Sequence, residues 1–302
     1  MALEKGIAAL VEEFIAAGRP SSRKKSIDER RSGYVASTAL AGQTETRVQV
    51  EDITLEGLTL RVVSPLNASG ALPTVIYYHG GCFISGGFTT HDNQLRQLAY
   101  YSGCRVIAVQ YRLAPEHIWP AAHDDAEVGA RLVWRHAEKL GVDKQRITLA
   151  GDSAGGHLAL VTALRLKASG EWQPHRLLLI YPMLDATASH KSYTTNGEDY
   201  VITHHSLLSG YEMYLPDFDL RHPEARPLWW DDFGGLPQVH IVTAEFDPLR
   251  DEGEALYRCL TEQGVDCTCQ RWSGVIHGFF QLGGIKIGRA HVELQSRSDL
   301  VC

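Results

Sequence analysis

The stretch Ile147-Thr148-Leu149-Ala150-Gly151-Asp152-Ser153-Ala154-Gly155-Gly156 decides how this chain folds. An apolar run rich in β-branched residues ends at Gly151, one serine follows among small residues, and apolar residues at helical spacing come next. This pattern predicts a strand, a sharp turn and a helix. The glycines on either side of Ser153 are expected because side chains there would collide with the neighbouring strand or helix. Such a turn holds the Ser153 hydroxyl clear of the sheet, above a helix N-terminus.

Short apolar runs alternate with helical patterns from Pro73 onward. The alternation predicts an α/β fold, with a mostly parallel central sheet covered by helices on both faces. Before it, apolar residues recur with a period of two from Thr46 to Val62 around Glu56-Gly57, which predicts an antiparallel hairpin. The candidate strands are Thr74–Tyr78, Arg105–Gln110, Arg146–Ala150, Leu177–Tyr181, Val239–Thr243 and Cys267–Arg271. The candidate helices are Asn93–Tyr101, Ala121–Leu140, Ala154–Ser169 and Leu249–Gln263.

Two regions do not follow this alternation. Residues 1–45 contain an amphipathic helical pattern that ends near Gly18 and a more polar helical stretch from Ile27 to Leu40. The segment from about Asp185 to Gly235 is rich in aromatic residues and prolines. In a parallel-sheet protein this segment is best placed as an excursion over the top of the sheet.

Composition excludes several classes of partner. The chain has 302 residues, a net charge of −7 and a pI of about 6.0, so we expect no surface for nucleic acid or an anionic membrane. No apolar run approaches membrane-spanning length, and no signal-peptide core forms at the start. The six cysteines form no CxxC pairs, which is typical of reduced thiols in a cytosolic protein. We therefore expect a cytoplasmic location. We also expect no metal and no organic cofactor, since His204 and His205 are without partners and solvated.

Two polar residues follow late strands of the predicted sheet. Asp247 comes just after Val239–Thr243, and His277 lies in the loop after Cys267–Arg271. Ligands of such sheets bind beyond the carboxyl ends of the strands. Serine, then aspartate, then histidine is the chain order of the α/β-hydrolase triad. The pattern therefore predicts that Ser153, Asp247 and His277 meet at one site.

Each of these assignments has a structural alternative. Asp247 precedes Pro248 and could simply cap the following helix, while His277 lies among apolar neighbours and could be a core histidine. Asp251 and Glu245 are rival carboxylates for the site. They rank below Asp247 because Asp251 is expected a turn into the helix, and Glu245 leaves the strand two residues early.

A glycine-rich turn supplies a further candidate element. Tyr77-Tyr78-His79-Gly80-Gly81-Cys82-Phe83 follows the strand that begins at Thr74. Its glycines allow backbone N–H groups to turn toward a bound oxygen, where they would stabilise the charge of a tetrahedral intermediate. The alternative is an ordinary glycine turn after a strand.

With these motifs in place, the chain resembles the bacterial hormone-sensitive-lipase family of esterases, most closely its acetyl esterase branch. The resemblance runs from about residue 46 to 280. The matching pieces are His79-Gly80-Gly81, Thr90-His91-Asp92, Tyr111-Arg112-Leu113-Ala114-Pro115-Glu116, Gly151-Asp152-Ser153-Ala154-Gly155-Gly156, Tyr181-Pro182, Ala244-Glu245-Phe246-Asp247-Pro248-Leu249 and His277-Gly278-Phe279.

The resemblance implies roles for the residues in these motifs. Ser153 would be the nucleophile, Asp247 the orienting acid and His277 the base. The backbone N–H groups of Gly81, residue 82 and Ala154 would form the oxyanion hole, and Gly80 would shape its turn. Where the family has a third glycine this chain has Cys82, which functions only if its backbone dihedrals tolerate a side chain; its thiol is expected to make the enzyme sensitive to oxidation or alkylation.

The resemblance also implies an α/β-hydrolase fold with a helical cap. Residues 1–45 would supply the N-terminal cap helices, and residues 46–284 the catalytic domain with a cap insert at about 185–235. The expected activity is a serine carboxylesterase acting on small, short-chain acyl esters. An amidase or formamidase, or a lactone or carbamate hydrolase, is the alternative on the same fold. A non-catalytic small-molecule receptor belongs to a different class and is disfavoured by the presence of His277; a homodimer remains open.

The end of the chain departs from the family pattern. Gly283-Gly284 and Gly288 interrupt the amphipathic helix that would cover the sheet. The run from Ile287 to Ser296 resembles a translated sequencing adapter. We hypothesise that residues 285–302 are an assembly artefact or a frameshift, which an identical tail in the source DNA would contradict.

Overall fold

A single eight-stranded sheet forms the centre of the computed structural model, which describes residues 2–18, 22–217 and 219–285. The strand order is β1-β2-β4-β3-β5-β6-β7-β8. β2 is antiparallel to both its neighbours, and the other pairs are parallel. The strands are β1 (Val48–Leu55), β2 (Leu58–Pro65), β3 (Leu72–Tyr78), β4 (Arg105–Val109), β5 (Val142–Asp152), β6 (Arg176–Ile180), β7 (Gln238–Phe246) and β8 (Cys267–Ile276).

Helices cover both faces of this sheet. Alternate residues of β3 point to opposite sides, so Ile76 and Tyr78 join one core cluster while Val75 and Tyr77 join the other. α4, α6 and α9 pack into the first cluster, and α1 and α3 into the second. The predicted α/β class and the predicted hairpin are confirmed. The helices are α1 (Lys5–Ala16), α2 (Ile27–Ala36), α3 (Phe88–Ser102), α4 (Ala121–Arg135), α5 (Ala137–Leu140), α6 (Ala154–Ser169), α7 (Ser192–Thr195), α8 (His204–Tyr214) and α9 (Arg250–Glu262).

Some element boundaries differ from the sequence-based expectation. α3 begins at Phe88 rather than Asn93, where the hydroxyl of Thr90 accepts a hydrogen bond from the Gly87 N–H at 3.0 Å. The polar residues Thr90 and His91 of this first turn are buried by tertiary contacts that local hydrophobic periodicity does not reveal. The predicted helix 121–140 is interrupted at His136, whose φ of −95° and ψ of 21° end α4.

The helices outside the alternation contact each other above the sheet. The Arg30 guanidinium of α2 donates to the Ser209 hydroxyl of α8 at 2.8 Å, and Arg23 forms an ion pair with Glu212 at 2.8 Å. α2 and α8 therefore contact each other directly, although they lie far apart in the sequence. No helix in the described ranges is long and apolar enough to cross a bilayer. The proposed artefact falls almost wholly on residues 286–302, which lie outside the described residues.

The cysteines of the described ranges are not all alike. Cys82, Cys259, Cys267 and Cys269 carry free thiols. Cys104 is disulfide-bonded, so the expectation of uniformly reduced thiols is wrong for that residue.

Candidate active site

The turn between β5 and α6 holds Ser153 in a strained conformation, with φ of 55° and ψ of −118°. A side chain at Gly155 would collide with the carbonyl oxygen of Tyr78, and one at Gly151 would collide with the backbone of Gly155. The close approach of β3 and α6 therefore requires both glycines. The turn leaves the serine hydroxyl at the N-terminus of α6, at the carboxyl edge of the sheet.

Three side chains from distant parts of the chain meet at this turn. His277 Nε2 lies 3.1 Å from the Ser153 hydroxyl oxygen, and His277 Nδ1 lies 2.8 Å from Asp247 Oδ2. All three residues are buried, with 4% of Ser153, none of Asp247 and 9% of His277 exposed. In this arrangement the carboxylate accepts a hydrogen bond from the Nδ1–H group, so the unprotonated Nε2 can accept the serine proton.

The loop after β7 sets the orientation of the Asp247 carboxylate. Its second oxygen, Oδ1, accepts a hydrogen bond from the Leu249 N–H at 2.8 Å. The Asn196 amide donates to the backbone oxygens of Asp247 at 3.1 Å and Glu245 at 3.3 Å. The carboxylate therefore does form a turn-type contact with the following backbone, and it contacts His277 at the same time.

The rival carboxylates have other partners. Asp251 lies in the first turn of α9 and accepts a hydrogen bond from the Ser192 N–H at 2.9 Å. Glu245 accepts from the Gly274 N–H at 2.8 Å. Neither carboxylate contacts His277 in the described part of the chain. Asp251 also accepts from the Arg250 guanidinium at 2.9 Å, so the contacts shown for both carboxylates indicate a structural role.

The glycine-rich loop after β3 lies against the Ser153 turn. Gly81 has a φ of 129°, and Cys82 adopts the left-handed region with a φ of 55°. The N–H groups of Gly81 and Cys82 donate to no acceptor within residues 2–18, 22–217 and 219–285. The left-handed conformation of Cys82 is one that glycine adopts freely. For a residue with a Cβ atom it costs about 1–2 kcal/mol.

Asp152, the residue before Ser153, links this loop to the turn. Its buried carboxylate accepts hydrogen bonds from the Gly80 N–H at 2.9 Å and the Tyr77 hydroxyl at 2.8 Å, and lies 3.2 Å from His91 Nε2. Burial alone would raise the pKa of Asp152, but His91 and the Tyr77 hydrogen bond hold it below its ordinary value of 3.8. One ionised carboxylate thus connects the glycine loop to the serine turn.

We predict that Asp152→Asn lowers kcat/KM by about 10- to 100-fold, because the amide cannot accept from every donor that the carboxylate satisfies and the glycine loop shifts. Unfolding free energy should fall by about 2–4 kcal/mol at pH 7. A depressed pKa stabilises the fold above about pH 4, and this contribution is lost as the pH falls through the folded-state pKa. Urea unfolding at pH 7 and pH 3 checks this, since the two proteins should differ less at pH 3.

The Cys82 thiol is less reactive than the sequence suggested. Burial raises its pKa to about 11, with a small opposing effect from Arg30. A thiolate is the species that reacts with alkylating agents, so little of it is present at neutral pH. The expected sensitivity of this thiol to alkylation is therefore not supported by its surroundings.

Iodoacetamide should accordingly modify Cys82 slowly at pH 8. With a pKa of about 11 the thiolate fraction is about 100-fold smaller than for an ordinary thiol, and it rises about tenfold per pH unit. Peptide mass spectrometry of the folded protein measures the rate, and the same cysteine in urea is the control. Equal rates in the folded and unfolded protein would contradict the prediction.

The sequence alone does not assign a role to several residues near the site. In the sequence, Asp152 and His91 occur only as parts of motifs, and nothing distinguishes Asn196. A further example is Glu252 of α9, fully buried, whose pKa burial raises well above its ordinary value. Of these residues, only Asp152 could have been identified from the sequence. It is a charged residue at the end of an apolar strand, and such a residue requires buried partners.

Comparisons with known proteins agree with this architecture. A family model described as alpha/beta hydrolase fold matches residues 75–281. The chain is 36% identical over 242 residues to a carboxylesterase of Mycobacterium tuberculosis. The match covers 78% of this chain and 76% of that protein. It is 34% identical over 299 residues to an ethyl acetate hydrolase of Pseudomonas putida, with 94% of each chain covered.

Solved structures show the same relationship. A thermostable esterase from Pseudomonas putida superposes with a TM-score of 0.93 at 30% identity, covering 98% of this chain and 95% of that one. A hyperthermophilic esterase from Pyrobaculum calidifontis gives a TM-score of 0.89 at 35% identity, covering 100% and 98%. The chain therefore belongs to the bacterial hormone-sensitive-lipase family of esterases, which is built on the α/β-hydrolase fold.

Proposed function

We propose that this chain is a serine carboxylesterase that hydrolyses small, short-chain acyl esters through Ser153, His277 and Asp247. The observation that carries the proposal is the continuous hydrogen-bonded series from the Ser153 hydroxyl through His277 to the Asp247 carboxylate, at 3.1 Å and 2.8 Å. The names of the related carboxylesterase and ethyl acetate hydrolase support the same reaction class.

The reaction proceeds by acyl transfer in two steps. His277 Nε2 takes the hydroxyl proton as Ser153 Oγ attacks the ester carbonyl, and the carbonyl electrons move onto oxygen. The imidazolium then gives that proton to the departing alcohol, which leaves an acyl-enzyme. Water repeats the cycle and releases the acid. Asp247 holds the imidazole tautomer and stabilises its charged form.

The oxyanion would bind to backbone N–H groups of Gly81, Cys82 and Ala154. The first two are unpaired within the described chain, and Ala154 begins α6, where the helix dipole also favours a negative charge. Each such donor is worth on the order of 10²–10³ in rate. The strained conformation of Cys82 is compatible with this role because only its N–H donates.

We further propose that the cap restricts the acyl group. α8 packs against the glycine loop so closely that a side chain at Gly210 would lie 2.5 Å from the Cys82 Cβ atom. Rates with p-nitrophenyl esters of increasing acyl length should therefore be highest for short chains and fall for long ones. A preference for long acyl chains would contradict this part of the proposal.

A fluorophosphonate probe tests the nucleophile directly. The probe should label the native protein, and Ser153→Ala should abolish labelling while the fold, followed by circular dichroism, is retained. Esters compared with matched amides, lactones and carbamates then define the substrate class. An intact protein that does not react with the probe would favour a non-catalytic receptor.

The proposal includes the cellular location and the oligomeric state of the protein. We propose a cytoplasmic esterase that acts without a nucleic-acid or membrane partner and forms a homodimer. β8 has β7 on one side and no further strand on the other in the described ranges, so an edge is available to a second copy. Light scattering of the purified protein measures the assembly, and a monomer at micromolar concentration would contradict it.

A further inference from the structure

Glu198, His204 and His205 form a cluster of metal-ligating side chains in the insert, outside the Ser153 site. One ligand atom from each lies within 4.8 Å of the others. His204 Nδ1 is 3.1 Å from Glu198 Oε1, and the two imidazole ring centroids are 3.9 Å apart. The expectation that both histidines are solvated and without partners is therefore wrong for His204.

We propose that this cluster binds a divalent transition-metal ion, with Zn²⁺ as the preferred class. Two imidazoles and one carboxylate form a donor set that suits Zn²⁺ and its neighbours rather than Mg²⁺ or Ca²⁺, which prefer oxygen ligands. Three protein ligands leave the fourth tetrahedral position to solvent. Glu198 and His205 are exposed, so an ion reaches the cluster without any opening of the fold.

Metal binding requires side-chain rotations that bring the three ligand atoms closer together. With metal–ligand bonds of about 2.1 Å, tetrahedral ligands lie about 3.4 Å apart, whereas the three ligand atoms now lie within 4.8 Å of one another. The backbone already makes room for one ligand, because a side chain at Gly197 would place its Cβ atom 2.9 Å from His204 Nδ1.

The position of the cluster makes Glu198 its most important member. His204 and His205 are the first two residues of α8, where the helix dipole disfavours a cation. Glu198 is the negatively charged ligand among the three, so its charge has to offset the unfavourable interaction of the cation with the helix dipole. We expect Glu198→Gln to lower the affinity for the metal ion more than the loss of one imidazole does.

A bound ion would connect Glu198 to α8 and so restrain the segment between them. Residues within this segment and just before it contact the region of Asp247. The Asn196 amide donates to the Asp247 backbone oxygen at 3.1 Å, and the Tyr200 ring lies 5.1 Å from that of Phe246. Zn²⁺ should therefore slow hydrogen exchange in residues 197–204 of the full chain and raise its thermal midpoint.

Equilibrium dialysis of the EDTA-treated full-length protein against Zn²⁺ tests the site. We expect about one equivalent to bind, and the affinity to fall by about tenfold or more in His205→Ala and further in Glu198→Gln. His117→Ala and His175→Ala remove exposed histidines elsewhere and should bind as the native protein does. Circular dichroism checks that each variant is folded.

Co²⁺ provides a second, independent readout. Bound at this site it should give visible d–d absorption without the near-ultraviolet charge-transfer band of a thiolate ligand, and both cluster variants should lose the signal. Unchanged affinity in both variants would overturn the proposal. A thiolate band would also overturn it, because it would assign the ion to the cysteines, of which Cys267 and Cys269 are free on β8.

Discussion

His277→Ala is expected to lose about 10⁴- to 10⁶-fold in kcat, and Ser153→Ala to lose a similar amount. His277 Nε2 lies 3.1 Å from the Ser153 hydroxyl oxygen, so each residue depends on the other for the attacking step. A hydroxyl without its base remains protonated and is a weak nucleophile, and a base without the hydroxyl has no proton to remove.

The decisive measurement is the double variant. Because the two residues act as one unit, Ser153→Ala/His277→Ala should be little worse than either single variant. Single-turnover kinetics with a p-nitrophenyl ester, after active-site titration to exclude contaminating enzyme, measures all three. Losses that multiply in the double variant would mean that the two side chains act independently, and the proposed mechanism would then be wrong.

Asp247→Asn is expected to lower kcat by about 10³- to 10⁴-fold. The side chain keeps its size and the contact of Oδ1 with the Leu249 N–H, but an amide group can face His277 Nδ1 as a donor. His277 then favours the tautomer that carries its proton on Nε2, which cannot accept the serine proton. KM should change much less than kcat, because the Asp247 carboxylate is fully buried and has no surface open to a substrate.

The rival carboxylates provide matched controls for this prediction. Asp251→Asn and Glu245→Gln replace groups that accept hydrogen bonds from the Ser192 and Gly274 N–H groups. Both variants should lose thermal stability but retain kcat within about tenfold, since neither residue contacts the imidazole. If Asp251→Asn were as inactive as Asp247→Asn, the assignment of the orienting acid would have to be revised.

Local patterns in the sequence predicted much of the fold. The strand, turn and helix around Ser153 were predictable because steric limits at Gly151 and Gly155 act between residues close in the chain. Strand positions were predictable because buried parallel strands require apolar runs. The element boundaries were less predictable: α3 begins at Phe88, and tertiary contacts bury Thr90 and His91, two polar residues of its first turn.

The buried polar connections of the site could not be predicted in the same way. Asp152 accepts a hydrogen bond from Gly80, which lies 72 residues away, and Asn196 reaches Asp247 across 51 residues. Neither pair has a spacing that any local periodicity would reveal. The same is true of Cys82, whose raised pKa depends on burial beneath a cap helix rather than on its neighbours in sequence.

By itself, the sequence determined the α/β class, the serine turn and the order of the three candidate side chains, since these depend on backbone sterics, hydrophobic periodicity and motif spacing. Only the tertiary structure decided which carboxylate faces His277. Asp247, Asp251 and Glu245 lie within seven residues of one another, and their positions along the chain rank Asp247 first without showing which side chain reaches His277. The direction of each side chain depends on the packing of β7, β8 and α9, because a hydrogen bond requires an atom within about 3 Å and at the correct angle.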